Sequence, residues 1–222
     1  MMFNDVTRNQ GYLFWSSVWI LILVLPPGSK AIATAYRLNF LHGLVSTILA
    51  LLCMRGVISE SVTTTATITY FIVDFINIMI NDFIFKAQSY QKPSARKVEY
   101  FHHCFCAFVA LMCEYRYRDF CGYSTNPFVR IMLAEVPTPF LIAWRYTDFL
   151  ALGALFTLAF FLVRIIYQGF MLVPEFMAEC HYSVGYGFGI PYNFMNFYFF
   201  YMIVKKIFRG GEDAGKKSKR GD

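Results

Sequence analysis

The run LALGALFTLAFFLVRIIYQGFMLV, residues 150 to 173, decides how the chain folds. It exceeds the roughly 20 apolar residues that a helix rising 1.5 Å per residue needs to cross a bilayer core. Its only charge is Arg164. The whole chain shares this character: of 222 residues, 57% are hydrophobic and 15% charged, with a mean hydropathy of +0.46. An ordinary soluble domain carries about 25% charged residues, so a soluble fold and a disordered chain are both excluded. The 25 Phe, 15 Tyr and 3 Trp suit lipid contact and anchoring at the membrane interface. The formal charge of +6 owes much to the seven Lys and Arg after position 204. That clustering marks a cytoplasmic flank, not a face for nucleic acid.

Working outward from 150–173, hydropathy gives further candidate spans at 12–25, 36–58, 65–87, 99–119, 126–146 and 186–208. The chain therefore reads as all-α, a polytopic membrane bundle of about seven transmembrane helices. The first candidate is short and closed by Pro26, Pro27 and Gly28. The fifth carries Pro137 and Pro139 at its middle, where two missing backbone donors predict a kink or a broken helix. If the N-terminus is lumenal and the C-terminus cytoplasmic, fourteen Lys and Arg fall on the cytoplasmic side and five on the other, the pattern that sets orientation. A cleaved signal peptide is the rival for 12–25, with Ala31-Ile32-Ala33 as its small-residue site. Cleavage would start the next helix from the lumen and put Lys92, Arg96 and Lys97 on the wrong side. Residues 209–222 hold mainly Gly and charged residues and read as a disordered basic cytoplasmic tail. Its end, Lys219-Arg220-Gly221-Asp222, resembles a dilysine-type retrieval address to the endoplasmic reticulum. Of the six cysteines, Cys53, Cys104, Cys106 and Cys113 lie in apolar spans. Cys121 and Cys180 fall in loops assigned to the oxidising lumen, where a bridge between them is expected.

Ionisable groups at membrane depth cost about 2.5–3.5 kcal/mol each on insertion scales, so they turn toward protein or water and mark function. The chain has His42, Asp74, Asp82, His102, His103, Glu135 and Arg164 in this position. Tyr70, Asp74, Asn77 and Asn81 recur at helical spacing on one stripe, as do Asn39, His42 and Ser46 on another and His102, Cys106 and Cys113 on a third. Counting rise from the ends of the hydropathy segments places His42, Asp82, His102 and His103 in a shallow layer. Asp74, Glu135 and Arg164 fall in a deeper one, where an ion pair or triad holding helices together is the structural reading. Imidazole titrates near neutrality and serves as a general base or an acyl-accepting nucleophile. Adjacent His102 and His103 point about 100° apart, so one can aim at a reacting atom while the other orients it. Four histidines are too few for a membrane di-iron enzyme, and no HExxH or paired CxxC is present, so no metal site is expected. Phosphate loops, a GxSxG elbow and a mid-membrane Schiff-base lysine are likewise missing from the sequence.

Five strings, in this order, resemble the TLC-domain family of endoplasmic-reticulum membrane proteins: RLNFLHG (37–43), YFIVD (70–74), EYFHHCF (99–105), AEVPTPF (134–140) and FLVRIIYQG (161–169). The resemblance divides the chain into a first helix and loop (1–35), a TLC-type domain (36–208) and the tail (209–222). It implies six helices forming a barrel around a lipid cavity, with one helix before it. In the ceramide synthases of this family a long-chain base is N-acylated from a fatty acyl-CoA. Carried over, His102, His103 and Asp74 would be the catalytic residues. Around them His42, Tyr70, Asn77, Asp82, Glu135 and Arg164 would bind substrate. Fatty acyl-CoA would be a co-substrate docking near Lys92, Arg96 and Lys97, with no bound cofactor. Membrane lipids and a second copy of the chain, as a homodimer, are the expected partners. Ceramide synthases carry a D-x-x-D-type arrangement after the His pair, whereas LAEVPTPFLIAW (133–144) holds a single Glu135. In this the chain is closer to the smaller TLC-domain proteins. Two other functions compete with N-acyl transfer: a non-catalytic lipid-binding regulator of membrane composition, and a trafficking or cargo helper acting through the lumenal loops 116–126 and 174–185.

Overall fold

A computed structural model of the chain describes residues 2–25, 31–84, 93–122 and 126–218. These residues are helical almost throughout, with no strand among them. The order is α1 (Met2–Val24), α2 (Ala31–Met54), α3 (Glu60–Met79) and α4 (Pro93–Phe120), then α5 (Pro127–Ile131), α6 (Thr138–Thr147) and α7 (Leu150–Phe160), and finally α8 (Val173–Glu179) and α9 (Tyr182–Ser218). Four stretches are long and apolar enough to cross a membrane: Tyr36–Met54, Glu60–Ile84, Pro127–Thr147 and Leu150–Glu179. α1, α4 and α9 fall outside this group because polar residues dilute them: Arg8, Asn9 and Gln10 in α1, Glu99, His102, His103 and Glu114 in α4, and several Gly, Tyr and Asn in α9.

The helix ends follow local chemistry. Gly56, with φ of 71°, closes α2 in a Schellman arrangement, its amide bonding Cys53 O at 2.8 Å and that of Val57 bonding Leu52 O at 2.9 Å. Asn126 caps α5 by accepting the Phe128 amide at 2.9 Å, and Pro127 takes the first helical position, where no donor is needed. The fifth candidate span is broken as its prolines predict. α5 passes into a 3-10 segment, Met132–Glu135, before α6 begins.

α1 is packed into the bundle along α3. Trp19 is fully buried and its indole donates to Ala66 O at 2.9 Å, while Arg37 of α2 donates to Ile22 O and Leu25 O at the other end of α1. Arg8 lies 3.0 Å from Glu114 of α4, whose carboxylate also accepts from Thr64 at 2.5 Å. α2 approaches α6 closely at Gly43, where an added Cβ would sit 2.8 Å from Pro139 Cδ and 3.0 Å from Thr138 Cβ. Gly43→Leu is therefore expected to cost about 1–3 kcal/mol by overpacking, read as a lower Tm in detergent.

The bridge expected between Cys121 and Cys180 is present. The Gly122 amide bonds Glu179 O at 2.9 Å and the His181 amide bonds Phe120 O at 2.6 Å, so the end of α4 is tied to the α8–α9 junction. Wild-type protein is expected to run faster on a non-reducing gel than on a reducing one, and Cys121→Ser to remove the difference. The tail differs from expectation. α9 runs on to Ser218 instead of ending near 208. Ala214, Glu212, Lys216 and Lys217 are good helix formers that continue an established helix more easily than a new one is nucleated. The Lys219–Asp222 end lies outside the described residues.

Candidate functional site

The break in the fifth span builds the site. A proline-interrupted helix leaves carbonyls without amide partners, and in a membrane these must be satisfied by neighbours. Ala134 O accepts from Arg164 Nε at 2.7 Å and Ile131 O from Gln168 Nε2 at 2.8 Å. Both donors come from a π-helical stretch, Phe161–Leu172, that continues α7. Such widened turns occur often at functional sites. Arg164 also lies 3.4 Å from Glu135 Oε1, and Thr138 donates to Glu135 Oε2 at 2.7 Å. The ion pair expected in the deep layer is thus present, and Arg164 holds both the carboxylate and the broken backbone.

From Glu135 the polar contacts continue across the bundle. Glu135 Oε2 is 3.9 Å from Nδ1 of His42, an electrostatic contact too long for a hydrogen bond. The His42 ring stacks on Tyr70 with centroids 3.4 Å apart and planes 7° from parallel. Tyr70 donates to Asn39 Oδ1 at 2.5 Å and lies 3.4 Å from Asp74 Oδ2. Asp74 Oδ2 is 3.4 Å from His103 Nε2, and Asn77 donates to Oδ1 of the same carboxylate at 3.5 Å. His42, Asp74 and His103 are 1%, 3% and 5% exposed, so this chemistry sits inside protein. The stripes read from spacing on α2 and α3 therefore face each other.

His102 diverges from its neighbour: the two rings are 5.6 Å apart and 81° from parallel. Its Nδ1 lies 3.5 Å from Cys106 Sγ, and its ring meets Phe199 of α9. Tyr192, also of α9, donates to Gln168 Oε1, so α9 closes the cluster on the remaining side. Among the described residues, His42 Nε2 and His103 Nδ1 are buried with no hydrogen-bond partner. Buried polar atoms are nearly always paired, so unpaired ones gathered beside a carboxylate–imidazole pair mark a place where a polar group can bind.

Two expectations need correction. The shallow and deep layers are one network, because His103 pairs with Asp74 and His42 faces Glu135. α4 starts at Pro93, not 99, which puts His103 about 15 Å along its helix, level with the deeper groups. Asp82 does not join the site. It lies in the π turn Ile80–Ile84, 3.1 Å from Arg96 Nε, and accepts from Tyr100 at 2.8 Å. Arg96, one of the cations expected near acyl-CoA, pairs with Asp82 and Glu99; Lys92 lies outside the described residues. Spacing did not single out Gln168, Tyr192, Asn196 or Glu114. The Gln168-to-Arg164 interval of one helical turn, opposite a proline pair, was the available signal. No group of three or more His, Cys, Asp or Glu among the described residues is placed to hold a metal ion.

Comparison of the chain with protein-family models, with curated proteins and with solved structures returns no match.

Proposed function

We propose that this is a TLC-type protein of the endoplasmic-reticulum membrane that transfers a fatty acyl group from acyl-CoA to an amine-bearing lipid. In this reading seven helices span the bilayer with a lumenal N-terminus and a cytoplasmic C-terminus, six of them around a lipid-holding interior. The observation that carries it is the buried Asp74–His103 pair with an unpartnered imidazole nitrogen. A carboxylate that holds one imidazole nitrogen fixes the tautomer and leaves the other as a base. His103 Nδ1 takes the proton from the amine as its nitrogen attacks the thioester carbonyl. The C–N bond forms, the C–S bond breaks, and the proton passes to the departing thiolate. Asp74 stabilises the transient imidazolium. His42 Nε2 is available to the lipid's polar head, and Arg164 with Glu135 holds the wall of the site in place. Purified protein in liposomes, supplied with a long-chain base and a fatty acyl-CoA, is expected to yield the N-acyl product by mass spectrometry.

A second reading, a lipid-binding regulator without turnover, is favoured by Arg96, whose guanidinium is engaged by Asp82 and Glu99. It requires an intact lipid to remain bound and no N-acyl product to form.

A further inference from the structure

On the outside of the bundle, away from the histidines, α6, α7 and α9 enclose a groove of about 540 Å³. That volume lies within the roughly 300–1,000 Å³ of small-molecule sites. Trp144, Gly153, Thr157, Phe161, Phe200 and Ile207 line it, so it is apolar along its length. Gly153 is required there. A Cβ at this position would come within 2.6 Å of the Trp144 indole, so the glycine lets α7 lie against that ring. The groove is cut into Leu150–Glu179, the most apolar of the four spanning stretches, and therefore opens on lipid. One end is charged. Lys206 Nζ lies over the Trp144 ring at 4.8 Å, and Lys205 lies over Tyr201 at 5.4 Å. Arg145, next to Trp144 at the end of α6, is exposed at the same end. Asp148 in the α6–α7 turn is the acidic counterpart among these cations.

We infer that this groove binds an anionic phospholipid, with an acyl chain along α7 and the phosphate at Lys206. An apolar slot with the Lys206 ammonium at one end is complementary to a lipid with a negative head, and basic pockets between membrane helices take such headgroups. The cation–π contact leaves the Lys206 ammonium at the mouth of the slot, where it can reach a phosphate without losing its contact to Trp144. The site is separate from the Asp74–His103 pair and does not depend on the acyl-transfer reading.

Because Trp144 lines the slot, its fluorescence reports occupancy. Full-length protein and Trp144→Phe, whose difference isolates this residue from Trp15 and Trp19, are placed in phosphatidylcholine nanodiscs. These contain a small fraction of acyl-brominated phosphatidylglycerol or acyl-brominated phosphatidylcholine. Quenching of Trp144 is expected to be at least about threefold greater with the brominated anionic lipid. Lys206→Glu is expected to reduce it to the phosphatidylcholine level, and Ala154→Phe, which fills the slot from an exposed position, to reduce both. The combined emission of Trp15 and Trp19, read in Trp144→Phe backgrounds of each variant, checks that the bundle is intact. Equal quenching by the two lipids, unchanged in Lys206→Glu, would show ordinary annular lipid and overturn the inference. Absence of quenching by either would show that another protein or a second copy covers the groove, and would overturn it as well.

Discussion

Asp74→Asn is expected to lower N-acyl product formation by about 10²–10⁴-fold while leaving the protein folded, the loss typical of removing general-base function. The substitution preserves size and hydrogen bonding but removes the charge that holds His103 Nε2 at 3.4 Å and stabilises its protonated form. His103→Gln is expected to fall in the same range, because it removes the nitrogen proposed to take the amine proton. The two losses should not add, since the residues act as one unit. The Asp74→Asn/His103→Gln double variant is thus expected to be no worse than His103→Gln alone. His102→Gln tests the other half of the pair. Its ring turns toward Cys106 and Phe199 and away from the Asp74–His103 pair, so a smaller loss is expected. Rates in liposomes, with expression level and Tm as controls, separate these outcomes. Full activity in Asp74→Asn would remove the pair from the chemistry.

The second large effect concerns stability. Arg164→Leu is expected to destabilise the bundle by about 3–5 kcal/mol, the usual consequence of leaving one member of a buried ion pair unpaired. Two losses combine there. Glu135 keeps only Thr138 and the distant His42, and Ala134 O at the helix break loses its donor. Arg164→Leu with Glu135→Leu is expected to recover part of the loss, because no charge is then stranded, but not all of it, because the carbonyl remains unpaired. Arg164→Lys should recover little, since one ammonium cannot reproduce a guanidinium that bonds carbonyl and carboxylate together. Thermal denaturation in detergent reads all three. An unchanged Tm in Arg164→Leu would mean that the broken helix is held by Gln168 alone.

Much of this arrangement was legible in the sequence, because membrane folding reduces to a few strong constraints. Length and apolarity located the four stretches apolar enough to cross a membrane, the Pro137 and Pro139 pair located the break, and two cysteines set apart from the apolar spans located the Cys121–Cys180 bridge. The stripe from Tyr70 to Asn81 faced inward because a helix in lipid has nowhere else to put a carboxylate and two amides. Hydropathy failed on the ends of helices. The polar first turn of α4, from Pro93 to Lys97, extends a helix without adding to the apolar signal, so depths counted from residue 99 were too shallow for His103. Asp82 belonged to an interfacial cluster with Arg96 and Tyr100, a pairing across a loop that no periodicity within one helix can reveal. The π stretch was also hidden, since its effect is to rotate Arg164 and Gln168 onto carbonyls freed in a different helix.

Mass spectrometry of the detergent-purified protein after incubation with a fatty acyl-CoA and a long-chain base would show whether the interior histidines transfer an acyl group. Release of free CoA and appearance of an N-acylated lipid in wild type, both lost in His103→Gln and Asp74→Asn, is the expected result. Unchanged acyl-CoA across several chain lengths, with an intact lipid co-purifying equally with wild type and variants, would contradict it and establish lipid binding without turnover.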